Sequence, residues 1–221
     1  MTRRVAIFKV FVWAGCLAPL ALLVLRAAGV HGMTLGGDPV QEVLEVFGKT
    51  SLNLVLLTLC ITPIRRSTGI NRLIAFRRLL GLFAFFYLVL HFLTYLFLDR
   101  AMEWGTIIED IAERPYITVG FAALLMMIPL AATSTNAMQK RLGRNWGRLH
   151  RLVYPIAVLG VVHFWWQVKL DVSEPLLYAF LLAVLLGVRL HHWREIEKKR
   201  RRTSVDAKAS MAPTYQRVEP P

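Results

Sequence analysis

The sequence has 221 residues, enough for one domain, yet 56% of them are hydrophobic and only 19% charged, a balance that excludes an ordinary soluble domain. A formal charge of +13, from 27 Lys and Arg against 14 Asp and Glu, would suit a nucleic-acid binder. Here the charges fall in the gaps between long apolar runs, which assigns them to orientation in a membrane and to anionic lipid headgroups, and leaves nucleic acid nothing to explain.

Runs free of Asp, Glu, Lys and Arg cover 10–25, 50–64, 79–98, 115–139, 152–168 and 175–188. Crossing a bilayer takes about 20 residues. The third and fourth runs reach that length. The second and sixth fall short and need 43–49, or a snorkelling Arg189, to reach the interface. In the first run Ala14-Gly15-Cys16 has the look of a lipoprotein cleavage box, but Trp13 stands where a small aliphatic residue is wanted, so the run is read as a retained span. Cys16 and Cys60 show no CxxC or CxxCH spacing, which excludes a disulfide scaffold, a zinc module and covalently attached haem.

The expectation is therefore an all-α, polytopic membrane helical bundle of about six transmembrane helices. Lys and Arg are retained on the cytoplasmic side. Alternate connections place 22 basic residues with Glu195, Glu197, Asp206 and Glu219 on one side, and 5 basic residues with 10 acids on the other. Both termini are accordingly expected in the cytoplasm. Residues 1–193 form the membrane domain, and 194–221 read as a basic, disordered cytoplasmic tail, rich in Ser, Pro and Ala and without apolar period. Lys198 to Arg202 would serve as a stop-transfer anchor or bind acidic lipids. No internal repeat, Gly-rich phosphate loop or nucleotide-binding βαβ pattern is visible, so the chain carries no NAD(P)H or FAD domain of its own.

Ligand-capable residues inside spans are functional candidates because they are costly there. His91 lies 13 residues after Arg78, and His163 lies 12 after Arg151, or about 20 Å and 18 Å of helix from the same side. Counting back from Asp99 and Lys169 gives about 12 Å and 9 Å from the other. Two imidazoles at one depth on two helices are what a b-type haem with two axial histidines needs. The competing reading is that each histidine hydrogen-bonds a nearby carbonyl or hydroxyl, such as Thr94 or Tyr95. Gly81 and Gly160 offer packing room near the two spans.

His150 is 13 residues before His163, about 20 Å lower and some 140° around the helix, so it cannot serve the same iron. It suits a second haem nearer the cytoplasm, but the matching level of the third span holds Arg77 and Arg78, which are not iron ligands and could instead hold haem propionates. An interfacial role beside Arg148 and Arg151 is the alternative. His31, His191 and His192 are given no role. Tyr95, Trp104, Tyr116, Trp165 and Trp166 collect near the outer ends of spans, where they anchor the interface or stack on a quinol headgroup.

Arg77-Arg78-Leu79-Leu80-Gly81-Leu82 running to Tyr87 and Leu90-His91, with Trp146-Gly147-Arg148-Leu149-His150-Arg151-Leu152-Val153-Tyr154 and Val162-His163, closely resembles the ferric-reductase-like membrane domain family, and within it the small bacterial haem b subunits. The resemblance covers roughly residues 5–190. It implies a subunit of the cell inner membrane that takes electrons from the quinone pool. It passes them to a periplasmic molybdopterin enzyme that reduces methionine sulfoxide, so catalysis resides in the partner. It also implies FMN binding, which nothing else in the sequence indicates, and makes His91, His150 and His163 the haem-associated histidines. Larger relatives among the ferric reductases and NADPH oxidases carry paired histidines on both haem helices and a C-terminal flavin and nicotinamide domain. This chain departs on both counts, so an outside donor, quinol or a flavin reductase, is required. The alternatives are a self-contained quinol-dependent ferric or metal reductase and a non-redox small membrane transporter.

Overall fold

A computed structural model describes residues 3–168 and 171–210. Among them the regular elements are all helical: α1 (Arg3–Ala27), α2 (Pro39–Thr68), α3 (Ile74–Thr94), α4 (Trp104–Glu113), α5 (Pro115–Ala132), α6 (Asn136–Leu142), α7 (Arg144–Leu149), α8 (Val153–Gln167) and α9 (Ser173–Ser210). Among the described residues five stretches are long and apolar enough to cross a bilayer: Phe8–Ala27, Pro39–Thr68, Asn71–Asp99, Pro115–Ala132 and Ser173–Ser204. The all-α, polytopic membrane reading therefore stands.

The expected six spans need correcting at three places. The second is far longer than its apolar run, because Asp38 caps it by accepting from Gln41 N at 3.0 Å and Pro39 pre-sets the first helical turn. Gly69, at φ 71°, ends it in the left-handed conformation. The fourth stops at Ala132, not 139: the Thr133 and Ser134 hydroxyls turn back onto Pro129 O and Leu130 O, and Thr135 caps a new helix, α6. The fifth, α8, has 15 residues and rises only about 22 Å. It is continued backward by a 3-10 turn, His150–Leu152, and by α7, giving an unbroken helical path from Arg144 to Gln167. Pro155 explains the step, since it has no N–H for the Arg151 carbonyl and its ring crowds that position. Lys169, used above to count depth, lies outside the described residues.

α2 packs along α3 and α5 along α8, and the two pairs meet through α3 against α5 and α2 against α8. Small residues set the close approach: Ala84 and Ala157 are wholly buried, and Ser51 Oγ donates to Ala84 O at 2.9 Å. Tyr87, equally buried, donates to Cys16 O at 2.6 Å and so ties α1 to α3. Large side chains such as Phe11 and Phe180 are exposed, as a lipid-facing surface requires. The 99–114 connection, read as an outer loop, contains α4. That helix buries Ile107 and Asp110 and leaves Trp104 and Ile108 exposed. It is reached through a π-turn, Tyr95–Asp99, and two positive-φ residues, Ala101 and Met102, which reverse the chain.

The chain divides after Leu182, and residues 183–210 are the distal run of α9. They are helical where a disordered tail was expected from Arg194. Glu195 pairs with Lys198 at 3.0 Å, and no Gly or Pro follows Gly187 before Ser210, so nothing local breaks the helix. The expected tail's remaining residues, 211–221, lie outside the described ones.

Candidate functional site

His91 on α3 and His163 on α8 face each other across the seam between the two helix pairs. Their ring centroids are 6.1 Å apart and the planes cross at 86°. His91 Nδ1 lies 2.9 Å from Leu44 O on α2, and His163 Nδ1 lies 2.7 Å from Tyr116 O on α5. A carbonyl only accepts, so each Nδ1 carries the proton and each Nε2 keeps its lone pair. Among the described residues the hydrogen bonds of both rings run through Nδ1, and none to either Nε2 is found. Each histidine thus bonds a backbone carbonyl, as the competing reading expects, through one nitrogen only; the partners are Leu44 O and Tyr116 O, while Thr94 donates to Leu90 O and Tyr95 to Asp110.

The two arms repeat one design. Each histidine meets a carbonyl 47 residues earlier in the chain. One turn on from that carbonyl stands a glycine, Gly48 or Gly120, against the imidazole itself. A Cβ built on Gly48 would lie 3.1 Å from His91 Nδ1, and one on Gly120 would lie 2.8 Å from His163 Nδ1. At Gly120 any side chain larger than hydrogen would force the ring to shift, and at Gly48 the ring would have to give by a few tenths of an ångström. The two arms are alike in geometry while their sequences share little beyond these glycines and the His-Phe pairs 91–92 and 163–164. Gly81, singled out for packing, has nothing within 4 Å of an added Cβ, whereas Gly160 packs against Leu52.

Cavities of 230 Å³ and 250 Å³ flank the pair, and His91, His163, Leu44, Leu88 and Gly120 border both. The two cavities share these bordering residues, and together they are called the slot. Among the described residues no group of three or more His, Cys, Asp or Glu could hold a bare metal ion. His91 and His163 would hold an ion whose remaining ligands are supplied by a cofactor. The 6.1 Å between ring centres leaves the two imidazoles close enough for both to reach one ion. The donor set fits a haem iron, and the Nδ1 to carbonyl bonds are the outer contacts that orient such ligands and raise their basicity.

His150 belongs to a different place. Its ring stacks on Trp146 with centroids 4.0 Å apart, and its Nε2 lies 3.1 Å from Thr133 Oγ1. That hydroxyl gives its one proton to Pro129 O at 2.6 Å, so it accepts from His150 Nε2–H, which removes that lone pair from any metal. His150 lines a third cavity of 550 Å³ with Arg77, Arg78 and Lys9. Arg78 also donates to Asn136 at 2.7 Å. Neither Arg77 nor Arg78 borders the cavities of the His91 and His163 pair.

Residues 47–161, from beside Gly48 to two residues short of His163, match the family described as ferric reductase like transmembrane component. The protein-methionine-sulfoxide reductase heme-binding subunit MsrQ of Xanthomonas oryzae pv. oryzae is 49% identical over 215 residues, covering 96% of this chain and 98% of that protein. The chain belongs to the MsrQ family. MsrQ of Xanthomonas axonopodis pv. citri is 52% identical over 86% of this chain and 88% of its own, and that of Ralstonia nicotianae 50% identical over 82% and 84%. The likeness to MsrQ proteins runs the length of the membrane domain, so it takes in α4 and the stepped α7 to α8 path along with the histidine helices.

Proposed function

We propose that this chain is the haem b membrane subunit of a protein-methionine-sulfoxide reductase system, carrying electrons from the quinone pool to a periplasmic molybdopterin partner of the MsrP type. The observation that carries the reading is the pair His91 and His163, each with Nδ1 on a backbone carbonyl and Nε2 left over, with ring centroids 6.1 Å apart. The kinship with MsrQ proteins supports it. Bound in the slot, haem would supply one-electron carriage at a potential set by its axial ligands and surroundings. The chain's own work is to hold two neutral imidazoles, fix their tautomers, and keep water out with apolar walls such as Leu88, Ala123 and Ile156.

Val55 and Met127 border both the slot and the 550 Å³ cavity, so a single layer of side chains separates them. A quinol becoming a quinone releases two electrons and two protons. The third cavity offers it apolar walls, the Trp146 and His150 stack, and an imidazole whose Nδ1 can take a proton. The same cavity supplies the cations Arg77, Arg78 and Lys9. FMN rests on the resemblance alone.

Purified protein is expected to show a low-spin haem spectrum at one haem per chain, with flavin measured alongside. In quinol-loaded vesicles it should support sulfoxide turnover by an added MsrP-type enzyme. A colourless protein would indicate the transporter alternative, and rapid reduction of ferric chelates without the enzyme the self-contained metal reductase. With both termini cytoplasmic in the inner membrane, a reporter active only outside the cytoplasm should give signal in 99–114 and none after Arg194; reversed signals would overturn the orientation.

A further inference from the structure

At the far end of the 250 Å³ cavity stands a cluster with no role in the argument so far. Asp110 on α4 has a side chain only 4% exposed and lies between two guanidiniums: Arg100 Nε is 2.6 Å from its Oδ2 and Arg114 Nε is 2.9 Å from its Oδ1. Tyr95 donates to the same Oδ2 at 3.0 Å, and Asp99 approaches Arg100 at 3.3 Å from the more solvated side. The ion pairs do not use up the arginines. Arg100 Nε is the one buried side-chain polar atom among the described residues with no hydrogen-bond acceptor, because its N–H is not aimed at the carboxylate beside it. Arg114 gives Nη1 to Tyr116 OH at 3.3 Å. Each guanidinium carries five N–H donors, so donors remain on both. Both side chains line the cavity that His91 and His163 border.

Among the described residues the rest of the slot offers no comparable anion seat. Lys49, in the 230 Å³ cavity, is bound at 2.5 Å by both Glu45 and Glu174, which leaves that edge net negative. Arg77 and Arg78 lie in the third cavity. Gln41 and Gln167 border both halves and do not distinguish them.

We infer that Arg100 and Arg114, held in place by Asp110 and Tyr95, are the seat for the two carboxylates of the slot's haem, which fixes the edge of the macrocycle turned toward α4. The inference rests on the haem reading above. Guanidinium forks match carboxylates geometrically, and hydrogen bonds with both partners charged are about twice as strong as neutral ones. Asp110 then acts as a positioning residue that keeps two neighbouring cations together.

The test compares the protein assembled with haem b and with haem dimethyl ester, in which both carboxylates are neutral. The readout is the rate of haem transfer to excess apomyoglobin. Wild-type protein should release the ester about 10 to 100 times faster than haem b. Arg114→Gln, which leaves Asp110 paired with Arg100, and Arg100→Gln should each cut that ratio several-fold. The double variant, checked for an unchanged low-spin spectrum, should bring it near one. Arg77→Gln with Arg78→Gln should leave it at the wild-type value. A ratio undiminished in Arg100→Gln and in Arg114→Gln, or abolished by the Arg77 and Arg78 pair, would overturn the assignment. Absence of haem from wild-type protein would overturn the haem reading itself.

Discussion

His91→Ala and His163→Ala are each expected to lower low-spin haem per chain by more than about tenfold, since altering even the outer partner of a metal ligand typically costs 10 to 100-fold and these remove the ligand. The stronger evidence is the contrast with His150→Ala, which should keep the low-spin spectrum. His150 Nε2–H is committed to Thr133, and the ring lies in another cavity. What His150→Ala should change is the quinol dependence of reduction, while reduction by dithionite stays normal. Absorption and electron paramagnetic resonance spectra of the three purified variants decide the matter. If His150→Ala bleaches the protein as fully as His91→Ala, the pairing of His91 with His163 is wrong. If His163→Ala still supports sulfoxide turnover at the wild-type rate, the slot is not on the electron path.

The depth match of His91 and His163 could be counted in the sequence because membrane helices must be long and regular, which makes residue number a ruler. The ruler gives depth and says nothing about azimuth or partner. Leu44 and Tyr116 could not be found that way, since a backbone carbonyl acceptor leaves no mark on residue type. Gly48 and Gly120 did carry a signal: each precedes its histidine by 43 residues. That coincidence has meaning only once α2 is known to lie on α3 and α5 on α8. The sequence places Arg77 and Arg78 at the level of His150, and the third cavity brings all three together, because depth is what a regular helix lets the sequence count. Arg100, Asp110 and Arg114 looked like loop charges setting orientation, because α4 is too short and too mixed in character to read as a span. Span ends failed where local chemistry overrode the apolar run: a cap at Asp38, hydroxyls at 133–135, and Pro155.

Gly120→Ala is expected to produce two effects of opposite sign. The new methyl would stand 2.8 Å from His163 Nδ1 and 2.9 Å from its Cε1, closer than such atoms approach, while Tyr116 O holds that same nitrogen at 2.7 Å. The imidazole must move, and it can do so only by giving up the carbonyl that fixes its tautomer. Losing an outer partner of this kind costs about 10 to 100-fold in metal affinity. Alanine is meanwhile the better helix former by about 1 kcal/mol, so the helix itself is not weakened. The variant should therefore insert and resist denaturation at least as well as wild type when both are haem-free, and yet release haem faster. Gly48→Ala, with its methyl 3.1 Å from His91 Nδ1, asks the ring to yield only a few tenths of an ångström and should show the same pattern at several-fold smaller size. Gly81→Ala, meeting nothing within 4 Å, should leave haem release unchanged. Haem-transfer rates for the three variants, with unfolding of their haem-free forms, test the ordering. Equal haem retention in Gly120→Ala and Gly81→Ala would mean that close contact of imidazole with glycine does not hold the ligand, and the repeated design of the two arms would lose its functional meaning.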